Sequence, residues 1–184
     1  MNDNQFLLAS MLGIGLVWLW TGKGDRLRNF IESNRGSNPF DNFERTGQEG
    51  SRAAFGGAVE QWRPAVRAQL SSLNVSPRIS EDLVLSVIAQ ESGGDPTAIG
   101  GVGEKGLMQM REIAVEDVTG VNELPPDDPA AQIRLGIQFL DLQIRRMDND
   151  IFDGLRAYNA GETGARRSES NGRSYAESVL SRIA

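Results

Sequence analysis

Hydrophobic positions along this chain change rhythm twice. From Phe6 to Trp20 they are nearly continuous: FLLASMLGIGLVWLW carries no charge and one polar side chain, Ser10. As a helix this run spans ~22 Å, short of a ~30 Å hydrocarbon core, and Thr21 and Gly22 bring it to the lower limit of a spanning helix. Trp18 and Trp20 stand where interfacial aromatics belong, and Lys23 can snorkel. Ala9 and Gly13 give the small-xxx-small spacing of packed helices. The expectation is an N-terminal hydrophobic helix over residues 1–22 that meets a membrane through residues 6–22. A buried core helix or a partner-binding helix is the competing reading. A cleaved signal peptide fits less well, since Asp3 precedes the run without any Lys or Arg and no small-x-small site follows it.

Between residues 23 and 58 the rhythm dissolves into Gly, Asn, Ser and mixed charges, the composition of a polar tether. Phe30, Ile31, Phe40, Phe43 and Phe55 are spaced too irregularly to form one amphipathic element. From residue 59 the spacing becomes helical. Val59 to Leu73 predicts one helix or two, with Pro64 forcing a start or a kink. Ser80 predicts an N-cap for a helix reaching Glu91, with Val84, Val87 and Ile88 on its apolar face. Leu107, Met110, Ile113 or Ala114, and Val118 predict a helix from Gly106 onward. Asp128-Pro129 opens the longest stripe: Ile133, Ile137, Leu140, Ile144 and Met147. Two shorter helices follow, at about Ile151–Ala160 and Ser174–Ile183. With no alternating β segment, residues 59–184 read as one mainly α domain, large enough to bury its own core.

Composition then removes chemistries. The chain has no cysteine and no histidine, which excludes disulfides, thiolate or imidazole metal sites and every Ser-His or Cys-His nucleophile. The net charge of −6 is uneven: residues 1–58 hold six basic and six acidic side chains, and residues 59–184 hold 13 and 19. An acidic domain without a basic stripe argues against nucleic acid as a partner. No metal and no cofactor are expected.

The candidate chemistry is a carboxylate. Val84, Val87, Ile88 and Glu91 stand at i, i+3, i+4 and i+7, so Glu91 ends the apolar stripe. Burial disfavours its anion and lets it hold a proton near neutral pH, as a general acid must. The bland alternative is a solvated residue at a helix end. Downstream come Gly106-Leu107-Met108-Gln109 and Ala157-Tyr158-Asn159. Together with Glu91-Ser92, these ordered motifs resemble the catalytic domain of the soluble-lytic-transglycosylase family over roughly residues 60–184. Tyr175, ahead of Val179-Leu180, matches the family's late tyrosine.

The resemblance implies a lysozyme-like helical fold acting on peptidoglycan glycan strands. By it, Glu91 is the catalytic acid and base, and Ser92 positions the substrate or the carboxylate. Met108 and Gln109 line the groove and contact the sugar and its N-acetyl group. Tyr158 orients Glu91, Asn159 supports it, and Tyr175 closes the other side of the cleft. For Met108 and Tyr158 plain core packing is the alternative. The reaction it implies needs one carboxylate, where other glycosidases use two. Glu91 protonates the leaving oxygen, the N-acetyl carbonyl stabilises the cationic centre, and the C6 hydroxyl closes onto C1. The product is a 1,6-anhydro-muramic acid end.

Two departures stand out. Arg111-Glu112-Ile113-Ala114 replaces the family's Pro-Gly-Thr-Ala, and the polar segment 162–174 is unassigned by resemblance. Two decoys fail their context. Gly101-Val102-Gly103-Glu104-Lys105-Gly106 fits a dinucleotide fingerprint without a preceding strand. In Asp148–Gly154, Phe152 occupies a calcium-ligand position. Asp95, the nearest other carboxylate in sequence, reads as a turn-former in Gly93-Gly94-Asp95-Pro96.

Lys23, Arg26, Arg28 and Arg35 follow the apolar run and favour a cytoplasmic catalytic side, whereas peptidoglycan lies outside. A bacteriophage virion enzyme, made in one cell and delivered to the wall of the next, resolves that conflict. Other virion proteins are then candidate partners. A bacterial inner-membrane anchor facing the periplasm is the alternative setting. A goose-type-lysozyme-like hydrolase and a structural or channel virion protein are the alternative functions.

Overall fold

The structure is a computed structural model that describes residues 55–184. The hydrophobic run and nearly all of the expected tether lie outside the described residues. Eight helices follow in order: α1 (Gly57–Glu60), α2 (Arg63–Ser72), α3 (Glu81–Glu91), α4 (Glu112–Thr119), α5 (Pro129–Arg146), α6 (Ile151–Ala160), α7 (Glu162–Arg167) and α8 (Arg173–Leu180). Among the described residues there is no strand, only two isolated antiparallel bridges, Ile99 with Lys105 and Lys105 with Met110. No helix among them is long and apolar enough to cross a membrane.

Short polar side chains start the helices where the sequence places them. Ser80 accepts from the Leu83 N–H at 3.1 Å, Asp128 from Ala131 at 2.9 Å and Asp150 from Asp153 at 2.8 Å. Each satisfies a backbone donor that the first helical turn leaves unpaired. The Val59–Leu73 stretch breaks into α1 and α2, and Pro64 sits in the first turn of α2, where its missing N–H is harmless.

Helix α3 is more than amphipathic. Leu83, Val84, Leu85, Ser86, Val87 and Ile88 are all fully buried, as in a helix that neighbours surround. It packs against α1, α2 and α8. The hydroxyl of Ser86 is satisfied by donating to the Val179 carbonyl at 2.6 Å. Helix α5 packs against α2, α4 and α6 through Ile133, Ile137, Leu140 and Ile144, and α6 in turn carries α7 and α8. Each buried aliphatic side chain contributes roughly 1.5–3 kcal/mol. The residue that ends α3 therefore extends a helix whose central residues are buried on every side.

Two sequence expectations change. The helix expected from Gly106 starts at Glu112. Gly106 and Gln109 adopt positive φ, 82° and 45°, and the Gln109 N–H turns back to the Gly106 carbonyl at 3.1 Å. A left-handed backbone at both positions is incompatible with a continuing right-handed helix. In α4 the buried pair is Ala114 and Val115, while Ile113 is exposed. Second, the unassigned polar segment contains α7. Only Ala165 of that helix is buried, so it shows no apolar stripe. It is held from beneath by the buried Arg156, which donates to the carbonyls of Ala165, Ser168 and Asn171.

Candidate active site

Glu91 is the last residue of α3, and the chain turns away at once through Gly93 and Gly94 at positive φ. A Cβ on Gly94 would lie 2.1 Å from the Ala58 carbonyl oxygen. Glycine is what lets the turn pack against α1, and the Trp62 indole N–H fixes it by donating to the Gly94 carbonyl at 2.9 Å. Asp95 caps the same turn, accepting from the Thr97 N–H and hydroxyl at 2.8 and 2.7 Å. It stands in the turn-forming role its sequence context suggests.

The Glu91 carboxyl is pushed up to about 7. Burial is the main cause. A hydrogen bond from Tyr175, which favours the anion, opposes it, and the nearby charge of Glu104 adds to the rise. The Tyr175 hydroxyl donates to Glu91 Oε1 at 2.6 Å. Burial and the carboxylate hold the phenol itself well above its ordinary range, so it stays a donor.

The hydroxyl that meets Glu91 is not the one expected. Tyr175, not Tyr158, reaches Glu91. Tyr158 lies behind it, stacked at 6.3 Å and 10°, with Phe139 edge-on to its far side at 5.2 Å. The Tyr158 hydroxyl donates instead to the Met108 carbonyl at 2.8 Å. The reason is position: α8 packs directly on α3, whereas α6 lies against α5 and α8. Tyr158 thus ties α6 to the Gly106–Met110 loop and backs the ring that holds Glu91.

That loop is clamped on three sides. The Ser92 hydroxyl bonds the Leu107 carbonyl at 2.9 Å and accepts from the Gly94 N–H at 3.1 Å, joining the end of α3 to the loop. The buried Gln132 on α5 accepts from the Leu107 N–H at 2.9 Å and donates to the carbonyls of Pro96 and Pro126. A Cβ on Gly106 would strike the Gln132 amide. Met108 is 1% exposed, packed over Gly136 of α5. Its side chain is core, and at this site it offers only its backbone carbonyl, which Tyr158 takes. Gln109 is half-buried, and its amide nitrogen donates to the Ala98 and Gly106 carbonyls at 3.1 and 2.8 Å. Its carbonyl oxygen lies against Gly100. Asn159 is exposed in the last turn of α6.

The structure therefore brings Glu91, Ser92, Gln109, Tyr158 and Tyr175 together, with Met108 beneath them. Two contributors escaped the sequence. Gln132 sits within an apolar helical stripe with no motif to mark it, and Glu104 is remote from Glu91 along the chain. The glycine-rich segment 101–106 carries Glu104 in a tight bridged loop. Asp150 and Asp153 of the calcium decoy serve as a helix cap and as the partner of Arg156. Among the described residues no group of three or more carboxylates, thiols or imidazoles is placed to hold a metal ion.

Comparison with known proteins gives a consistent result. Residues 72–180 match the transglycosylase SLT domain family. The transglycosylase of Enterobacteria phage PRD1 is 31% identical over 105 residues, which are 57% of this chain and 37% of that protein. This chain thus spans little more than a third of that relative's length. Among solved structures, the 70 kDa soluble lytic transglycosylase of Escherichia coli superposes with a TM-score of 0.55 at 20% identity, over 66% of this chain and 23% of that one. An inactive glutamate-to-glutamine mutant of the lytic transglycosylase Slt from Pseudomonas aeruginosa superposes at 0.54 and 19%, over 85% and 26%. These two share the lysozyme-like fold.

Proposed function

The chain belongs to the transglycosylase SLT family, and on that premise we propose that it is a lytic transglycosylase of peptidoglycan. It cleaves the β-1,4 bond between N-acetylmuramic acid and N-acetylglucosamine and leaves a 1,6-anhydro-muramic acid end. The observation that carries this reading is Glu91: a carboxyl lifted to about 7 and oriented by Tyr175 at a rigid helix end. Near neutral pH such a group is divided between acid and base, as a residue that must act in turn as both requires.

The steps balance on this one residue. The Glu91 carboxylic acid gives its proton to the glycosidic oxygen, and the bond from that oxygen to C1 of muramic acid breaks. The N-acetyl carbonyl of the same sugar stabilises the electron-poor carbon. The Glu91 carboxylate, kept in place by the Tyr175 hydroxyl, then removes the C6 hydroxyl proton as that oxygen bonds C1. No water is consumed, and Glu91 ends as it began. The Gln109 carbonyl is the acceptor offered to a sugar amide N–H, while Ser92, Met108 and Tyr158 hold the loop that presents it. Asn159, exposed in the last turn of α6, is free to meet the glycan strand.

The setting belongs to the same proposal: the enzyme travels in a phage particle and opens the host wall at infection. Similarity to a phage transglycosylase and the apolar run Phe6–Trp20 support it. The Slt neighbour described as inactive carries a single glutamate-to-glutamine change, which suits a mechanism that hinges on one carboxylate. The test is Glu91→Gln, which keeps size and removes the proton. Turbidity loss of purified walls should fall by about 10²–10⁴-fold with an unchanged circular-dichroism spectrum. A folded variant keeping more than about a tenth of the rate would contradict the proposal.

A further inference from the structure

Helices α3 and α8 meet through side-chain bonds that follow one register. Ser86, Gln90 and Glu91, in ascending order on α3, bond Val179, Ser178 and Tyr175, in descending order on α8, so the two helices run antiparallel. At one end Ser86 donates to the Val179 carbonyl at 2.6 Å, and at the other the Tyr175 hydroxyl donates to Glu91, also at 2.6 Å. Between them Ser178 Oγ donates to Gln90 Oε1 at 2.8 Å. The same Gln90 oxygen accepts from Arg182 Nη2 at 2.7 Å, and Arg182 Nη1 donates back to Ser178 Oγ at 3.2 Å. The three side chains thus close a ring in which each bonds the other two. Arg182 Nη1 also donates to the Ser178 carbonyl at 2.6 Å, in the last turn of α8, where a cation is favourable. Gln90 directly precedes Glu91, and Ser178 stands one turn after Tyr175 on the same face of α8.

We propose that Gln90, Ser178 and Arg182 are positioning residues: their ring fixes the register of α8 on α3 and so holds the Tyr175 hydroxyl on the Glu91 carboxyl through both halves of the reaction. This rests on the reading of Glu91 as the acid and base. The Ser86–Val179 bond pins one point of the contact, about which α8 could still turn. A second attachment, beside Tyr175, removes that freedom. An O–H···O bond keeps its strength only between about 2.5 and 3.0 Å, so a small slip of α8 decides whether Tyr175 engages. Gln90 and Ser178 carry no charge, and they act on Glu91 through placement. The titratable groups that bear on this pair are Tyr158 on α6, Glu104 in the loop Ile99–Lys105, and Arg182.

The experiment is a carbon-13 titration of glutamate side-chain carboxyls in the full chain, with Glu91 assigned by its loss in Glu91→Gln. Wild-type Glu91 should titrate at about 7. Gln90→Leu and Ser178→Ala each break the ring without changing any charge. The Tyr175 bond favours the Glu91 anion, so each variant should raise the midpoint by about half a pH unit. Ser178→Thr, which keeps the hydroxyl, should stay near wild type. Tyr175→Phe should raise the midpoint at least as far, and Gln90→Leu added to it should move it no further. In the ring variants kcat should fall by about tenfold with KM unchanged. An unmoved midpoint in Ser178→Ala overturns the proposal, whether or not Gln90→Leu folds. So does a full shift by Gln90→Leu in the Tyr175→Phe background, which would mean that leucine desolvates Glu91 directly. The titration needs no substrate. A shifted Glu91 in a protein that cuts no glycan would uphold the ring and count against the proposed activity alone.

Discussion

Burial works against the Glu91 anion, and that has two readable consequences for one residue. A carboxyl raised from its ordinary value to about 7 favours the folded state while it is protonated. That contribution is complete below the unfolded value and is lost as pH rises through about 7. Glu91→Gln lacks it, so the variant's stability relative to wild type should increase from pH 5 to pH 8, by up to roughly 3 kcal/mol. Thermal melts across that range test the sign, and a constant or shrinking difference would contradict a protonated Glu91. The rate should follow the same group, with kcat/KM falling about tenfold per unit above pH 7. The candidacy of Glu91 is legible in sequence because helical spacing carries it onto the buried face of α3. The hydroxyl that meets it is not legible. Tyr158 and Tyr175 differ only in which helix packs on α3, and that is a tertiary fact.

At the scale of elements, the site depends on a loop with little secondary structure of its own. The Gly106–Met110 segment is held by Gln132, Ser92 and Tyr158, and Gln132 ties its Leu107 N–H to the carbonyls of Pro96 and Pro126 on neighbouring segments. Gln132→Leu keeps the volume but leaves the Leu107 N–H and two proline carbonyls without their partner. The Leu107 N–H is buried, and leaving such a donor unsatisfied costs about 1–3 kcal/mol, so the variant should melt several degrees lower. Cleavage should suffer further in the surviving folded fraction, because the loop that carries Gln109 loosens. A variant with unchanged Tm and rate would show that the clamp is not needed. The long helices α3, α5 and α6 were readable because capping residues and apolar stripes coincide. The start of α4 was not, because positive φ at Gln109 leaves no mark in composition. Helix α7 was missed because it buries one alanine and relies on Arg156 from another helix.

At the scale of the whole molecule, every residue placed around Glu91 above lies among the described residues. A chain beginning at residue 55 should therefore fold, stay soluble and cut isolated glycan strands at close to the full-length rate. The full-length chain, with its uncharged run Phe6–Trp20, should float with liposomes. Aggregation of the shortened chain beside a soluble full-length one would place the run in the core instead. Neither outcome touches the central claim, which concerns the bond that Glu91 breaks and what closes onto C1. Mass spectrometry of muropeptides from a wild-type digest of purified peptidoglycan tests that directly. New ends lighter by one water than hydrolytic products, and resistant to borohydride reduction, are the result expected of intramolecular attack by the C6 hydroxyl. A digest whose new ends are mainly reducible muramic acid would mean that water attacks at C1, and the one-carboxylate mechanism would fall.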